Sequence, residues 1–228
     1  TRNKRGRGST DIRSLLIAEV VGMDECKISM VASAKDAGFW ETLSVGEKAA
    51  YEAADREIRK RLHIVVMLDV ASRMPLAWII TENPNAEATL ALLRMATRDK
   101  TREKIRYGCK GEPAEAVGLM HVRNDNGPGL RNNDVIGALL GIGSINSIGR
   151  AYASTDRAHD ERFFGTLESD FFKLMPGYTG RRPGELLGYD SVKNGVIDVD
   201  LLYGMVTRYF IDEYPSQRHY GVGMGGRR

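Results

Sequence analysis

Cysteine is nearly absent: 228 residues contain two, Cys26 and Cys109. Two cysteines make no disulfide framework. The four histidines are scattered, with no C-x-x-C or H-x-x-x-H spacing, which excludes a zinc site of the usual pattern. A reducing, cytoplasmic setting is expected, with both thiols as inert packing groups. No apolar run approaches the roughly 18 residues of a membrane span. The first residues are basic and polar, and the short apolar run after them is broken by Glu19, so no signal peptide is read. There is no internal repeat and no low-complexity block. The chain starts at Thr1, which suggests a fragment of a longer protein.

What is present fits a soluble globular protein of one large or two small domains: 42% hydrophobic and 28% charged residues. The net charge is only +3, but it is unevenly spread. Residues 1–13 hold Arg2, Lys4, Arg5, Arg7 and Arg13 against Asp11, a local excess of +4. Such basic arms commonly meet nucleic-acid phosphates, and a solvated linker has the same composition. The expected organisation is a basic arm over 1–13, a core over 14–214, and a tail over 215–228 leading to a missing domain.

Along the core, AEVVGMDECKISMV (18–31) favours a strand interrupted by Asp24 and Glu25. A carboxylate there either faces solvent at an edge or lines a site. Residues 32–60 read as an insertion, helical after a capping-box match at Ser44–Glu47. LHIVVMLDV (62–70) and LAWIIT (76–81) form a hairpin, with Asp69 as a second carboxylate candidate. A helix over 86–97 follows, capped by Asn83-Pro-Asn85. The basic stretch 99–116 reads as a loop. Next comes GLMHVRNDNGPG (118–129): β-formers first, then turn residues. Asp125 thus stands at a strand's C-terminal end, a usual address for reacting groups in α/β sheets. An Asx turn closing the strand is the structural alternative. A short helix (132–140) and strand (144–148) come next.

A further helix starts at Ser154 or Thr155 and runs to about 173. At 100° per residue, Phe164, Leu167, Phe171 and Leu174 cluster on one face. Glu161 falls at that face's border, about 100° from its centre, with Arg157, Glu168 and Phe172 near its azimuth. From there a carboxylate can point into a cleft, or simply be solvated. Residues 198–214 form a last helix, with Leu202, Met205, Val206, Tyr209 and Phe210 at helical spacing and Pro215 as its stop. The alternation of strands and helices predicts an α/β protein, a mixed sheet with helices on its faces. Carboxylates from two strands and a docked helix can then converge. Hard divalent ions take such oxygen ligands, and three carboxylates suffice for two ions.

GMDECKI, HVRNDNGPGL and DERFFGTLESDFF together resemble the three acidic motifs of the DDE recombinases, retroviral integrases and many bacterial transposases. Between Asp125 and Glu161 lie 35 residues, a familiar spacing in that family. LDVASRMPLAW looks like the family's second strand. ERFFGTL with PGYTG looks most like the phage Mu and Tn7-like branch. The resemblance implies an RNase H-like fold and a bacterial or phage-encoded protein. It also implies Asp24, Asp125 and Glu161 as catalytic metal ligands for two Mg²⁺ or Mn²⁺ ions. It selects Asp24 over Asp69, which is read as structural.

Supporting DNA contacts follow less directly. Asn126, with Asn124, can orient Asp125 or meet a phosphate. Arg150 and Tyr152 precede the Glu161 helix, where the family handles the DNA end; Arg157, Arg162, Arg5 and Arg7 are candidate phosphate contacts, and Lys27 a weaker one. The implied activity is 3′-end nicking followed by DNA strand transfer. The implied partners are DNA ends and target DNA, further copies of the chain assembled on DNA, and an ATPase that selects the target, with no membrane. A nuclease that only hydrolyses and a non-catalytic DNA-binding assembly module are the alternatives.

Overall fold

The computed structural model describes residues 14–29, 43–50, 62–124, 132–148, 158–180, 186, 188 and 197–218. Five strands build one sheet: β1 (Val20–Lys27), β2 (His63–Asp69), β3 (Pro75–Thr81), β4 (His121–Asn124) and β5 (Ile145–Ile148). Their spatial order is β3-β2-β1-β4-β5. β1, β2 and β3 run antiparallel in sequence, while β4 and β5 run parallel to β1. This is the mixed sheet that the alternation of strands and helices predicts, with the RNase H-like fold that the family resemblance implies. β2 is central to the hairpin and apolar on both faces, so Ile64 to Leu68 are all nearly inaccessible.

The helices are α1 (Ala86–Ala96), α2 (Thr101–Tyr107), α3 (Asn133–Gly141), α4 (Ala158–Asp170) and α5 (Val199–Arg208). Three starts follow their caps. Asn85 accepts from Ala88 N–H, Asn132 from Asp134 N–H and Asp198 from Leu201 N–H. The capping box at the insertion also forms: Glu47 N–H donates to Ser44 Oγ at 3.4 Å and Ser44 N–H to Glu47 Oε2 at 2.9 Å. Residues 45–50 are helical; most of the rest of the insertion lies outside the described residues.

Helix α2 corrects the loop expected over 99–116. Its signal was local and polar. Asp99 accepts from both the Thr101 N–H and hydroxyl, at 2.9 and 3.0 Å, before the first turn. Gly108 closes the helix in a left-handed conformation, φ 65°. Lys100 is fully buried, and its ammonium donates to the Ala114 carbonyl at 3.0 Å and the Arg98 carbonyl at 3.3 Å. Tyr107 seats against Gly204 of α5, where a Cβ would stand 2.6 Å from the ring. Periodicity could not reveal a seven-residue helix held by a buried cation and a tyrosine seated on a distant glycine.

Register fixes which side chains share a face, because alternate residues of a strand point the same way. Gly22 and Asp24 lie on the face that carries Val66 and Trp78. Trp78 Nε1–H donates to Thr207 Oγ1 of α5 at 2.9 Å. Its ring meets Phe210 edge-on, and Phe210 stacks with Phe163 of α4. α4 and α5 therefore cover the Asp24 face. α5 continues through a π turn (Tyr209–Glu213) that aims Tyr209, Phe210 and Tyr214 into this aromatic cluster, and a 3-10 turn (Tyr214–Ser216) that takes in Pro215 closes the run one residue beyond the expected stop.

Candidate active site

Asp24 sits in mid-strand yet is only 8% exposed. The β1–β4 ladder ends with Met23 opposite Asn124, so Asp24 is the first β1 residue beyond that ladder. Asp125 follows Asn124 in sequence and lies outside the described residues. Asp24 Oδ1 accepts from the Glu25 N–H at 2.9 Å. Asn124 is buried, and its amide donates to Asn146 Oδ1 at 3.1 Å; its own Oδ1 accepts nothing among the described residues. Asn124 shares the face of Met23, opposite that of Asp24.

Asp69 is placed differently. It is fully buried and paired with Val21, on the other face from Asp24 and about 10 Å along the sheet at three residues' rise. Its Oδ1 accepts from Ala18 N–H at 2.9 Å, and its Oδ2 from Ser72 N–H at 2.8 Å and Ser72 Oγ–H at 2.5 Å. Ala18 and Arg73 both hold left-handed backbone, φ 61° and 65°, and Arg73 N–H donates to the Asp69 carbonyl. The Asp69 carboxylate thus clasps the entry to β1 and the β2–β3 turn, with both oxygens occupied.

Glu161 lies on the first turn of α4 and is exposed, as is Arg162. The helix's buried side is not the one expected. Phe163, Leu167 and Phe171 are buried and Phe164 is only half-buried. Leu174 has left the helix for a 3-10 turn (Phe172–Leu174) and is 76% exposed. The stripe is rotated toward Phe163 because that ring fills the space beside Phe210 and Tyr214. Glu168, seven residues after Glu161 and at nearly the same azimuth, is 6% exposed. The Glu161 side of the helix is therefore covered near its end and open at its start.

Sequence reasoning missed two residues here, Gly22 and Asp160. A Cβ built on Gly22 would stand 2.3 Å from Asp160 Oδ1 and 2.8 Å from Oδ2. Asp160 therefore rests its carboxylate on bare β1 backbone, two residues from Asp24 and on the same face. A glycine inside a strand is the signal that would have found it, since it marks close approach. Arg73 is held by opposing effects: burial lowers its pKa, while the charges of Asp69, Tyr214 and Asp160 raise it.

Of the sequence-derived candidates, Asp24 and the α4 turn carrying Glu161 come to one sheet face. Arg5, Arg7, Asp125, Asn126, Arg150, Tyr152 and Arg157 lie outside the described residues. Among the described residues no group of three or more acidic, histidine or cysteine side chains is arranged to hold a metal ion. No described helix is long and apolar enough to cross a membrane.

The family model described as the TnsB C-terminal domain matches residues 49–177, more than half the chain. The chain belongs to that family. The family match makes this a transposase/integrase-type domain. The match takes in Asp69, Asp125 and Glu161 and begins after Asp24.

Among solved structures, the chain is similar to a simian T-cell lymphotropic virus intasome, solved with PP2A regulatory subunit B56 gamma. Identity is 15% and the TM-score 0.46, over 74% of this chain and 44% of that one. It thus spans under half the length of that relative. It is also similar to the BIV integrase catalytic core domain, with 14% identity and TM-score 0.38, over 66% of this chain and 67% of that one. The HTLV-2 integrase catalytic core domain, solved with magnesium, is similar at 13% identity and TM-score 0.37, over 68% and 70% of the two chains. No curated protein matches the sequence.

Proposed function

We propose that this domain is a DDE-type polynucleotidyl transferase core, in which Asp24, Asp125 and Glu161 hold two Mg²⁺ or Mn²⁺ ions for 3′-end nicking and strand transfer. One observation carries the reading. Asp24 is a buried carboxylate just beyond the β1–β4 ladder, on the face to which α4 brings its Glu161-bearing first turn. The donor set suits these ions: carboxylate oxygens with no thiolate or imidazole among them, the preference of hard cations. Bound there, the ions would supply activation of a water or 3′ hydroxyl and charge stabilisation at the leaving oxygen.

The chain's own residues supply the rest. Burial of Asp24 against the sheet restricts its rotamers, so its carboxylate is held in one orientation. The open start of α4 leaves Glu161 room beside a substrate phosphodiester. Arg162, with Arg150, Tyr152, Arg157, Arg5, Arg7 and Asn126, would contact phosphates and sugars of the element end and target, which makes binding steeply salt-dependent. Further copies of the chain and an ATPase that selects the target are the proposed protein partners.

The test is Mn²⁺ and Mg²⁺ calorimetry on the wild type and on Asp24→Asn, Asp125→Asn, Glu161→Gln and Asp69→Asn, followed by a strand-joining assay on pre-nicked DNA ends. The reading expects metal uptake lost in the first three and kept in the fourth, and joined products from the wild type. Cleavage without joining would favour the hydrolytic nuclease. A wild type that binds DNA but no metal would favour the assembly module.

A further inference from the structure

The buried stripe of α4 contains a charge. Asp160 is seven residues before Leu167, hence within about 20° of the same azimuth, and Leu167 is 1% exposed. Asp160 thus lies on the sheet-facing side of the docked helix and is itself half-buried. An acidic side chain there costs free energy unless its surroundings answer it. What it faces is Gly22, where even one methyl group would overlap the carboxylate: Oδ1, Oδ2 and Cγ would all fall within 2.9 Å of a Cβ. Nothing but glycine leaves that notch open. Arg73 is close enough for its guanidinium to feel the Asp160 charge, although burial, the larger effect, lowers its pKa.

The helix is consequently held at two successive points. Asp160 sits in the Gly22 notch, and three residues later Phe163 sits among Phe210 and Tyr214. Glu161 lies between them in sequence, 100° round the helix from Asp160. Two fixed neighbours determine where its Cα lies relative to Asp24, two residues along β1 from the notch. We propose that Asp160 is a positioning residue: its contact with Gly22 sets the height and rotation of the first turn of α4, so that Glu161 completes the metal site with Asp24. This rests on the metal-site reading above.

The notch predicts a suppressor relationship. Gly22→Ala pushes the Asp160 carboxylate off the strand, and shortening the side chain with Asp160→Gly removes the overlap. Full-length protein would be measured for Mn²⁺ affinity by calorimetry and for thermal midpoint, in Gly22→Ala, Asp160→Asn, Asp160→Gly and the Gly22→Ala/Asp160→Gly double variant. Asp160→Gly removes the contact without adding bulk and serves if Gly22→Ala folds poorly, while Asp160→Asn keeps the shape and tests for a ligand role. The expected results are Mn²⁺ binding weakened at least tenfold in Gly22→Ala, weakened severalfold in Asp160→Gly, near wild type in the isosteric Asp160→Asn, and returned in the double variant to the level of Asp160→Gly alone.

Gly22→Ala with a lower thermal midpoint but wild-type Mn²⁺ affinity overturns the positioning role and leaves a purely structural contact. Asp160→Asn as damaging as Asp24→Asn overturns it too, by making Asp160 a ligand. A wild type that binds no Mn²⁺ overturns the metal-site reading and this inference with it. A wild type that binds alongside unaffected variants overturns this inference alone.

Discussion

Replacing Asp69 separates a structural carboxylate from Asp24, the one proposed to bind metal. In Asp69→Ala the Ala18 N–H, the Ser72 N–H and the Ser72 hydroxyl all lose their acceptor. Leaving a buried donor unsatisfied costs about 1–3 kcal/mol. Ala18 is 3% exposed and bears that cost in full, whereas Ser72 is half-buried and recovers part of it from water. The left-handed backbone at Ala18 and Arg73 also loses the contacts that hold it. A total of about 3–5 kcal/mol follows, with Asp69→Asn, which keeps one good acceptor, nearer 2 kcal/mol. For a domain of this size each kcal/mol lowers the thermal midpoint by about 2–4 °C, so Asp69→Ala should melt about 6–20 °C lower. Differential scanning calorimetry reads this directly. Asp24→Asn preserves an acceptor for the Glu25 N–H and should stay within about 1 kcal/mol of wild type. An Asp69→Ala midpoint within 2 °C of wild type would refute the clasp, where about 6 °C is the least expected. Loss of metal uptake in a well-folded Asp69→Asn would refute the choice of Asp24.

Trp78→Phe keeps a ring against Phe210 but abandons the Thr207 hydroxyl, and should cost about 1–3 kcal/mol in urea titration. Gly204→Ala should lower stability by about 1–3 kcal/mol, because the Tyr107 ring must move from 2.6 Å, and Tyr107→Ala should make the same substitution harmless. Burial lowers the Lys100 ammonium to about 8 from its usual 10.5. Between those values the unfolded chain binds a proton that the folded chain does not, so stability should rise with pH from about 8 toward 10. Burial holds the Tyr107 and Tyr209 phenols up at about 12, and their loss of stability begins only above pH 10. Urea midpoints at pH 7.5 and 9.5 check the sign, and Lys100→Met should flatten the difference.

Much of the fold could be read from local pattern. The apolar runs at 62–70 and 76–81 became a hairpin because strands buried on both faces need continuous apolar sequence. Asn85, Asn132 and Asp198 start helices because a side-chain oxygen must satisfy the first free N–H groups. The family resemblance rested on short motifs such as HVRNDNGPGL and DERFFGTL, each a run of adjacent residues. These are properties of neighbours in sequence, so sequence determined them.

Tertiary structure decided the rest. Asp24 and Asp69 look alike as carboxylates in or ending apolar strands; only register sends them to opposite faces, one to a helix-covered surface and the other to three hydrogen bonds. The buried side of α4 turned toward Phe163 because of rings contributed 47 and 51 residues later. Helix α2 depends on a cation enclosed by carbonyls up to 15 residues away. Asp160 and Gly22 are 138 positions apart and meet only because α4 docks on β1. Each outcome hangs on a pair of groups far apart along the chain, and a one-dimensional pattern carries no record of which distant surfaces will be pressed together.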